Sequence, residues 1–419
     1  MSASSDFFET PVGESFSLLR NRLSDPTAPW SGPQNAILNE VELHRARGTI
    51  SSWPGYQQTP LVSLPEFASN LGIDSLHYKD ESSRFGLGSF KALGGAYAVA
   101  RLLQQQVSES SQHAETDIHA LLEKHHETVV NRITVCCATD GNHGRSVAWG
   151  AQQFGCQCVI FIHATVSEGR RKAIERFGAT VIRTHGNYDD SVREAQRVAK
   201  EKNWFVVSDT SYDGYVDIPK DVMQGYELMV AEADEQMPCK PTHVFIQTGV
   251  GGVAAAVAGY FARRYGRHRP AIILADPAQS ACWLETLAAG KPTAAKGDTE
   301  TIMAGLACGE VSLLAWTILR DHADAVVAVP DSGVAPVMQQ LAMPENNDPK
   351  IIAGESAVAG LLALHLAMQV PQAKEALCLD AGARVLVFGT EGDTDPELYE
   401  KLVGCSAGEI LKGNVIAEI

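Results

Sequence analysis

The chain is 419 residues long, 45% hydrophobic and 20% charged, with a formal net charge of −16, a composition that suits a globular protein large enough for two domains. The acidic balance argues against unaided binding to nucleic acid or to an anionic membrane, since both require a basic face. Nine cysteines without regular spacing give neither a disulfide framework nor a zinc signature, and a reducing cytoplasm is the expected compartment.

In chain order, the opening MSASSDFFETPVGESFS has no basic segment and no long apolar run, so it is not expected to be a secretory signal. Residues 82–95, SSRFGLGSFKALGG, set Lys91 behind a small-residue turn and ahead of the apolar helical stretch ALGGAYAVARLL. The run 104–128 is polar and is expected to be a surface excursion, with helix as the alternative for its later half; His113, His119, His125 and His126 are too irregularly spaced for a metal site. Short apolar runs then alternate with helical stretches, the mark of a parallel α/β fold. Strands are expected at 134–139, 158–164, 180–185, 204–209, 243–249, 271–276 and 384–390, with helical spacing between them, as in SVREAQRVAKEK at 191–202. The most apolar run, Val250 to Ala262, is too short to span a bilayer, and Arg263 and Arg264 close it. No internal repeat is found.

Four segments carry candidate chemistry. A lysine amine attacks a carbonyl only after its surroundings favour the neutral form, and Lys91, held at a turn facing inward, is placed for that; it reads equally as a surface lysine at a helix start. In TGVGGVAAAVAGYFA, an apolar strand runs into Gly249, Val250, Gly251 and Gly252 and then an alanine-rich helix. Glycines let the backbone approach an anion, and the helix start favours phosphate. Neither a P-loop nor the dinucleotide spacing is present, so a small phosphate monoester fits best, against a plain strand-to-helix turn. In ATDGNHGRSVAWGA, Asp140, Asn142 and His143 cluster at a helix start that can grip a carboxylate, or form a turn without function. In VLVFGTEGDTD, Thr390 ends a strand, where its hydroxyl either bonds a ring nitrogen or caps the helix opening at Asp395-Pro396.

Together these are the parts that pyridoxal phosphate requires: a lysine for the aldehyde, a glycine turn for the phosphate, a donor such as Asn142 for the ring hydroxyl and a partner for the ring nitrogen. The order SFK-x-x-GG, GNHG, GVGG and a late threonine resembles the fold type II, tryptophan-synthase-β-like pyridoxal phosphate enzymes. Finer blocks resemble the diaminopropionate ammonia-lyase family: YQQTPLVSL, KDESSRFGL with FKALGGAYA, TDGNHGRSVAWGA, SDTSYDGYVDIPKDVMQGY, TIMAGLACGE, GESAVAGL and TEGDTD, from about residue 50 to the low 390s. One departure lies beside the lysine, where the family has Asn-Ala and this chain has Gly88-Ser89.

The resemblance implies a two-domain α/β fold with mostly parallel twisted sheets flanked by helices. The expected large domain is discontinuous, 1–98 and 216–419, with 99–215 a smaller inserted domain carrying the asparagine loop. It further implies cofactor contacts from Lys91, Phe90, Asn142, Gly249, Val250, Gly251, Gly252 and Thr390. Substrate contacts are implied for Thr139, Asp140, Gly141, His143 and Asp209, and catalysis for Lys91, Asp140 and Asp209. A neutral hydroxyl at the ring nitrogen suits elimination better than transamination. Asp140 is expected opposite Lys91 as a second base, so that both enantiomers are processed, and Asp209 is expected to hold the β-ammonium, or else to cap the SYDGY turn. His143 reads as structural more than catalytic, Glu355 as either near the site or a helix start, Cys308 as packing, and Cys282 with Cys308 as reduced thiols more than a bridge.

The expected activity is α,β-elimination of ammonia from 2,3-diaminopropionate, D or L, giving pyruvate and two ammonia, with D-serine as a slow substrate, in a cytoplasmic homodimer without metal. A serine/threonine-type dehydratase of the same fold and a non-catalytic cofactor-binding regulatory module are the alternatives. A nucleotide-binding oxidoreductase is disfavoured by the missing fingerprint.

Overall fold

The computed structural model describes residues 5–413 apart from 12, 112–115, 140, 187 and 346. Its strands are β1 (Asp6–Glu9), β2 (Ser15–Arg20), β3 (Leu61–Ser63), β4 (Ser75–Asp80), β5 (Thr134–Ala138), β6 (Gln157–Ile162), β7 (Thr180–Arg183), β8 (Phe205–Val206), β9 (His243–Gln247), β10 (Ala271–Pro277), β11 (Ala325–Val329) and β12 (Arg384–Gly389). Packing divides the chain into two compact units: Met1–Ile37 with Gln58–Ser83 and Val230–Ile419, and Leu38–Gln57 with Arg84–Met229.

The first unit holds an eight-stranded sheet in the order β1-β2-β11-β10-β9-β12-β4-β3. Its central strands β11, β10, β9, β12 and β4 are parallel, while β1, β2 and β3 finish the edges antiparallel. Every residue of β9 (HVFIQ) and β11 (AVVAV) is buried, because helices cover both faces of a parallel sheet and leave no side for water. The second unit holds the wholly parallel sheet β7-β6-β5-β8. Its helix Ala92–Ser111 lies against Asn142–Phe154 at closely spaced small residues: a Cβ on Gly150 would stand 2.8 Å from Ala96 Cα, so the backbones approach only because the side chain is missing.

All seven expected strands are present with ends shifted by a residue or two, except that 204–209 is cut to the two residues of β8. The strands β1 to β4 and β11 went unread. In β11 the run AVVAV carries no alternation to separate it from a buried helix. The expected insert 99–215 differs from the second compact unit, which begins earlier and takes in Lys91. The reason is that the helix starting at Ala92 packs along its whole apolar face inside that unit, so residues 84–98 go with it.

The run 104–128 carries helix in its later half, the alternative to a surface excursion, and its helices bury apolar residues. The helix continues through it to Ser111, a second helix covers Ile118–Leu122, and Val107, Ile118 and Leu121 are buried. The Gln104 amide donates to the Thr116 carbonyl at 2.6 Å, joining its two halves; His113 lies outside the described residues. Among the described residues no helix is long and apolar enough to cross a membrane, and all nine cysteines are free thiols.

Candidate active site

Within the second unit, the chain turns from Gly88 (φ +77°) into Phe90 and Lys91 immediately before the helix at Ala92. A left-handed φ is reached readily by glycine, so Gly88 makes the turn that leads to the lysine. The Lys91 carbonyl accepts from the N–H groups of Gly94 and Gly95 and from the Ser146 hydroxyl at 2.7 Å, so the lysine backbone is fixed to two helices. Its amine donates to Asp209 Oδ2 at 2.5 Å and lies 5.3 Å from the Phe90 ring centroid and 5.9 Å from that of Tyr226.

Asp209 follows the short strand β8, next to β5 in the sheet. Burial works against its charge, but the Lys91 ammonium and the His143 ring outweigh that and hold the carboxyl well below the usual carboxylate range. The Tyr215 hydroxyl donates to the Val206 carbonyl (2.8 Å) and accepts from Ser208 N–H (3.0 Å), which steers the chain leaving β8 toward that position. His143 is buried, with Nε2 2.8 Å from the Val207 carbonyl and Nδ1 3.8 Å from Asp209 Oδ2. A carbonyl only accepts, so Nε2 carries a proton.

At the end of β5, the Thr139 hydroxyl accepts from Gly141 N–H at 3.0 Å and Gly144 N–H at 3.1 Å. It thereby shapes the turn that starts the helix Asn142–Phe154. Asp140, within that turn, lies outside the described residues.

Within the first unit, β9 and its parallel neighbour β12 are followed directly by Thr248 and Thr390, at the strand ends where ligands of parallel sheets bind. Gly251 has φ +98° and precedes the helix Gly252–Tyr265. The Gly249 carbonyl accepts from Trp283 Nε1 at 3.0 Å, and the Val250 carbonyl from Ser312 N–H at 2.9 Å. The N–H groups of Val250, Gly251 and Gly252 find no acceptor among the described residues. The Thr390 hydroxyl accepts from Gln247 Nε2 at 2.6 Å, and that amide also donates to the Phe388 carbonyl at 2.8 Å, so the amide orientation is set and the Thr390 proton is left to donate elsewhere. The helix Pro396–Val403 is capped by Asp395, which removes the capping alternative for Thr390.

The family model for pyridoxal-phosphate dependent enzymes matches residues 52–391. Diaminopropionate ammonia-lyase of Escherichia coli (strain K12) is 40% identical over 381 residues, covering 89% of this chain and 94% of that protein. The Salmonella typhimurium diaminopropionate ammonia-lyase is 38% identical over 388 residues, with the same coverage. The chain belongs to the diaminopropionate ammonia-lyase family. Crystal structures of the Escherichia coli lyase agree: the holo form superposes with a TM-score of 0.84 at 38% identity, covering 95% of this chain and 98% of that one. The form in complex with D-serine also gives 0.84, at 37% identity, covering 96% and 98%.

For a member of a pyridoxal phosphate family, the residues present suit the cofactor. Three unaccepted N–H groups at the start of a 14-residue helix match a phosphate dianion, and a Cβ on Gly251 would run into the Trp283 ring. Thr390 offers a neutral donor. Of the expected residues, Lys91, Phe90, His143 and Asp209 come together in one unit with Thr139, Gly141 and Asn142 at the neighbouring strand end; Gly249–Gly252 and Thr390 come together in the other.

Two residues with a visible part went unread. Tyr226 packs on Phe90 with ring centroids 4.6 Å apart and the planes tilted by 51°, and Gln247 orients Thr390. Both lie in stretches already singled out, but no spacing rule marks a tyrosine or glutamine as a partner across the fold. Glu355 is buried just ahead of the helix Ala359–Gln369.

Proposed function

We propose that the protein eliminates ammonia from 2,3-diaminopropionate, D or L, to give pyruvate and two ammonia, with D-serine as a slow substrate. One observation carries the reading: the Lys91 amine bonded to a half-buried, ionised Asp209. An ammonium already occupies that carboxylate, and the β-ammonium of the diamino acid is the same chemical group; a hydroxy amino acid brings no such cation to it. Membership in the family and the D-serine complex of the Escherichia coli lyase support the substrate class.

Bound pyridoxal phosphate supplies the aldehyde that takes the substrate's α-amine and the electron sink that acidifies its Cα–H. In this reading Lys91 holds the aldehyde until substrate arrives, and its released amine then takes the Cα proton from one face. Asp140 takes it from the other face, which admits the second enantiomer. Asp209 holds the β-ammonium in line for departure, with His143 steadying the carboxylate and Phe90 flanking the amine. Backbone N–H groups of the Thr139–His143 turn grip the substrate carboxylate, Asn142 serves the ring hydroxyl, Gly249, Val250, Gly251 and Gly252 the phosphate, and Thr390 the ring nitrogen. The enamine product hydrolyses in water to pyruvate and the second ammonia.

The large domain of this reading spans 1–98 and 216–419, with 99–215 as the insert. The working form is a cytoplasmic homodimer, a state that light scattering measures directly.

Product stoichiometry tests the proposal. Two ammonia per pyruvate are expected from D- and L-diaminopropionate and one from D-serine, at a lower rate. Turnover of L-serine or L-threonine in preference to the diamino acid would make the protein a dehydratase instead.

A further inference from the structure

Trp283 is fully buried in the first unit, and nothing in the proposed reaction uses it. It is the second residue of the helix Cys282–Ala289, in whose first turn the N–H groups of Trp283 and Leu284 donate to Asp276 Oδ2 at 2.9 and 3.0 Å. Asp276 is itself fully buried at the end of β10, and its other oxygen accepts from the Thr248 hydroxyl. Thr248 is the residue that leads into the glycine loop. One carboxylate therefore ties the entrance of the loop to the start of the helix that presents the indole.

The indole acts on the loop in two ways. Its Nε1–H donates to the Gly249 carbonyl at 3.0 Å, and its ring fills the place a side chain at position 251 would take. In a trans peptide the C=O and the following N–H point in opposite directions. Fixing the Gly249 carbonyl on Trp283 therefore turns Val250 N–H away from the core, and fixing the Val250 carbonyl on Ser312 N–H does the same for Gly251 N–H. Both N–H groups have no acceptor among the described residues.

We propose that Trp283, held by Asp276, is a positioning residue that presets the glycine loop for the phosphate of the cofactor. A loop without the indole bond still has its glycines but can rotate its 249–250 peptide, and part of the anion's binding is then spent on ordering it. The inference rests on the assignment of Gly249–Gly252 to phosphate made above.

The test is equilibrium dialysis of cofactor-free protein against pyridoxal 5′-phosphate and, separately, against pyridoxal, which lacks the phosphate. Wild type should bind the phosphate ester more tightly. W283F keeps an aromatic ring in a smaller form and loses the N–H, and should raise Kd for pyridoxal 5′-phosphate about 5–10-fold, the effect of one neutral hydrogen bond, while Kd for pyridoxal stays within about 2-fold. An unchanged Kd for the phosphate ester, or equal losses for both ligands, would overturn the inference. If W283F does not fold, T248V, which cuts the link to Asp276, should show the same selective loss, and its absence counts equally against the idea. A wild type that does not distinguish the two ligands would instead defeat the phosphate assignment itself.

Discussion

The Lys91–Asp209 pair sets the chemistry at the residue scale. Asp209 has its carboxyl held low against a burial that opposes it, so the sign of its pH effect is fixed. Its contribution to stability is complete above the ordinary carboxylate pKa of about 4 and disappears only as pH falls through the lowered value. In cofactor-free protein, D209N should therefore cost about 1.5–3 kcal/mol at pH 7, the worth of a hydrogen bond to a charged group. Urea unfolding should find the same gap at pH 5, closing only in strong acid. A gap that closes between pH 7 and pH 5 would mean that the carboxyl is not held low. Gly88 shows the same scale from the backbone side: its φ of +77° is a conformation that glycine reaches without strain.

At the scale of elements, the lysine is placed by helices that meet through missing side chains. Gly225, on the helix Asp217–Gln236, sits against the Leu93 carbonyl at the start of the lysine-bearing helix, and a Cβ there would enter that carbonyl oxygen. Gly94 is likewise filled by the Tyr226 ring. Because the obstacle at Gly225 is backbone and not a flexible side-chain end, relief requires one helix to move. G225A should cost about 1–3 kcal/mol as overpacking and, by displacing Lys91 from Asp209, reduce turnover as well. Thermal unfolding and a pyruvate assay on the same preparation check both effects; a variant as stable and active as the parent would show that the helices have slack. In the other unit the short helix Cys282–Ala289 bears on the glycine loop through one indole and one carboxylate, so its influence exceeds its size.

Across the whole molecule, the proposed cofactor contacts fall on segments far apart in the chain, from Lys91 to Thr390. A ligand gripped by native geometry and absent from the unfolded chain stabilises by mass action. Pyridoxal 5′-phosphate at 100 times its Kd should therefore raise the unfolding free energy by about 2.7 kcal/mol. Calorimetry of protein with and without the cofactor measures this, and a transition unmoved by saturating cofactor would contradict a site assembled from native geometry. The net charge of −16 acts on this scale too, through repulsion from polyanions, and leaves the pocket chemistry untouched.

What the sequence determined by itself was local. The glycine spacing after β9, the turn before Lys91, the Asp-Gly-Asn start of a helix and the apolar runs of the central strands are contiguous signals, and each fixes its own backbone without help from the rest of the chain. From these followed the α/β class, the parallel sheets and the cofactor. Tertiary structure decided what depends on distance through space. It brought Asp209 to an amine 118 residues away, set Gln247 on Thr390 from 143 residues away and buried Lys79 completely on Glu232 at 3.0 Å. It also packed the helices Ala92–Ser111 and Ile118–Leu122 around Val107, Ile118 and Leu121, whose burial outweighs a polar composition. Such pairings are set by packing across the whole chain, and a residue's own neighbours in sequence carry no trace of the partner it will meet.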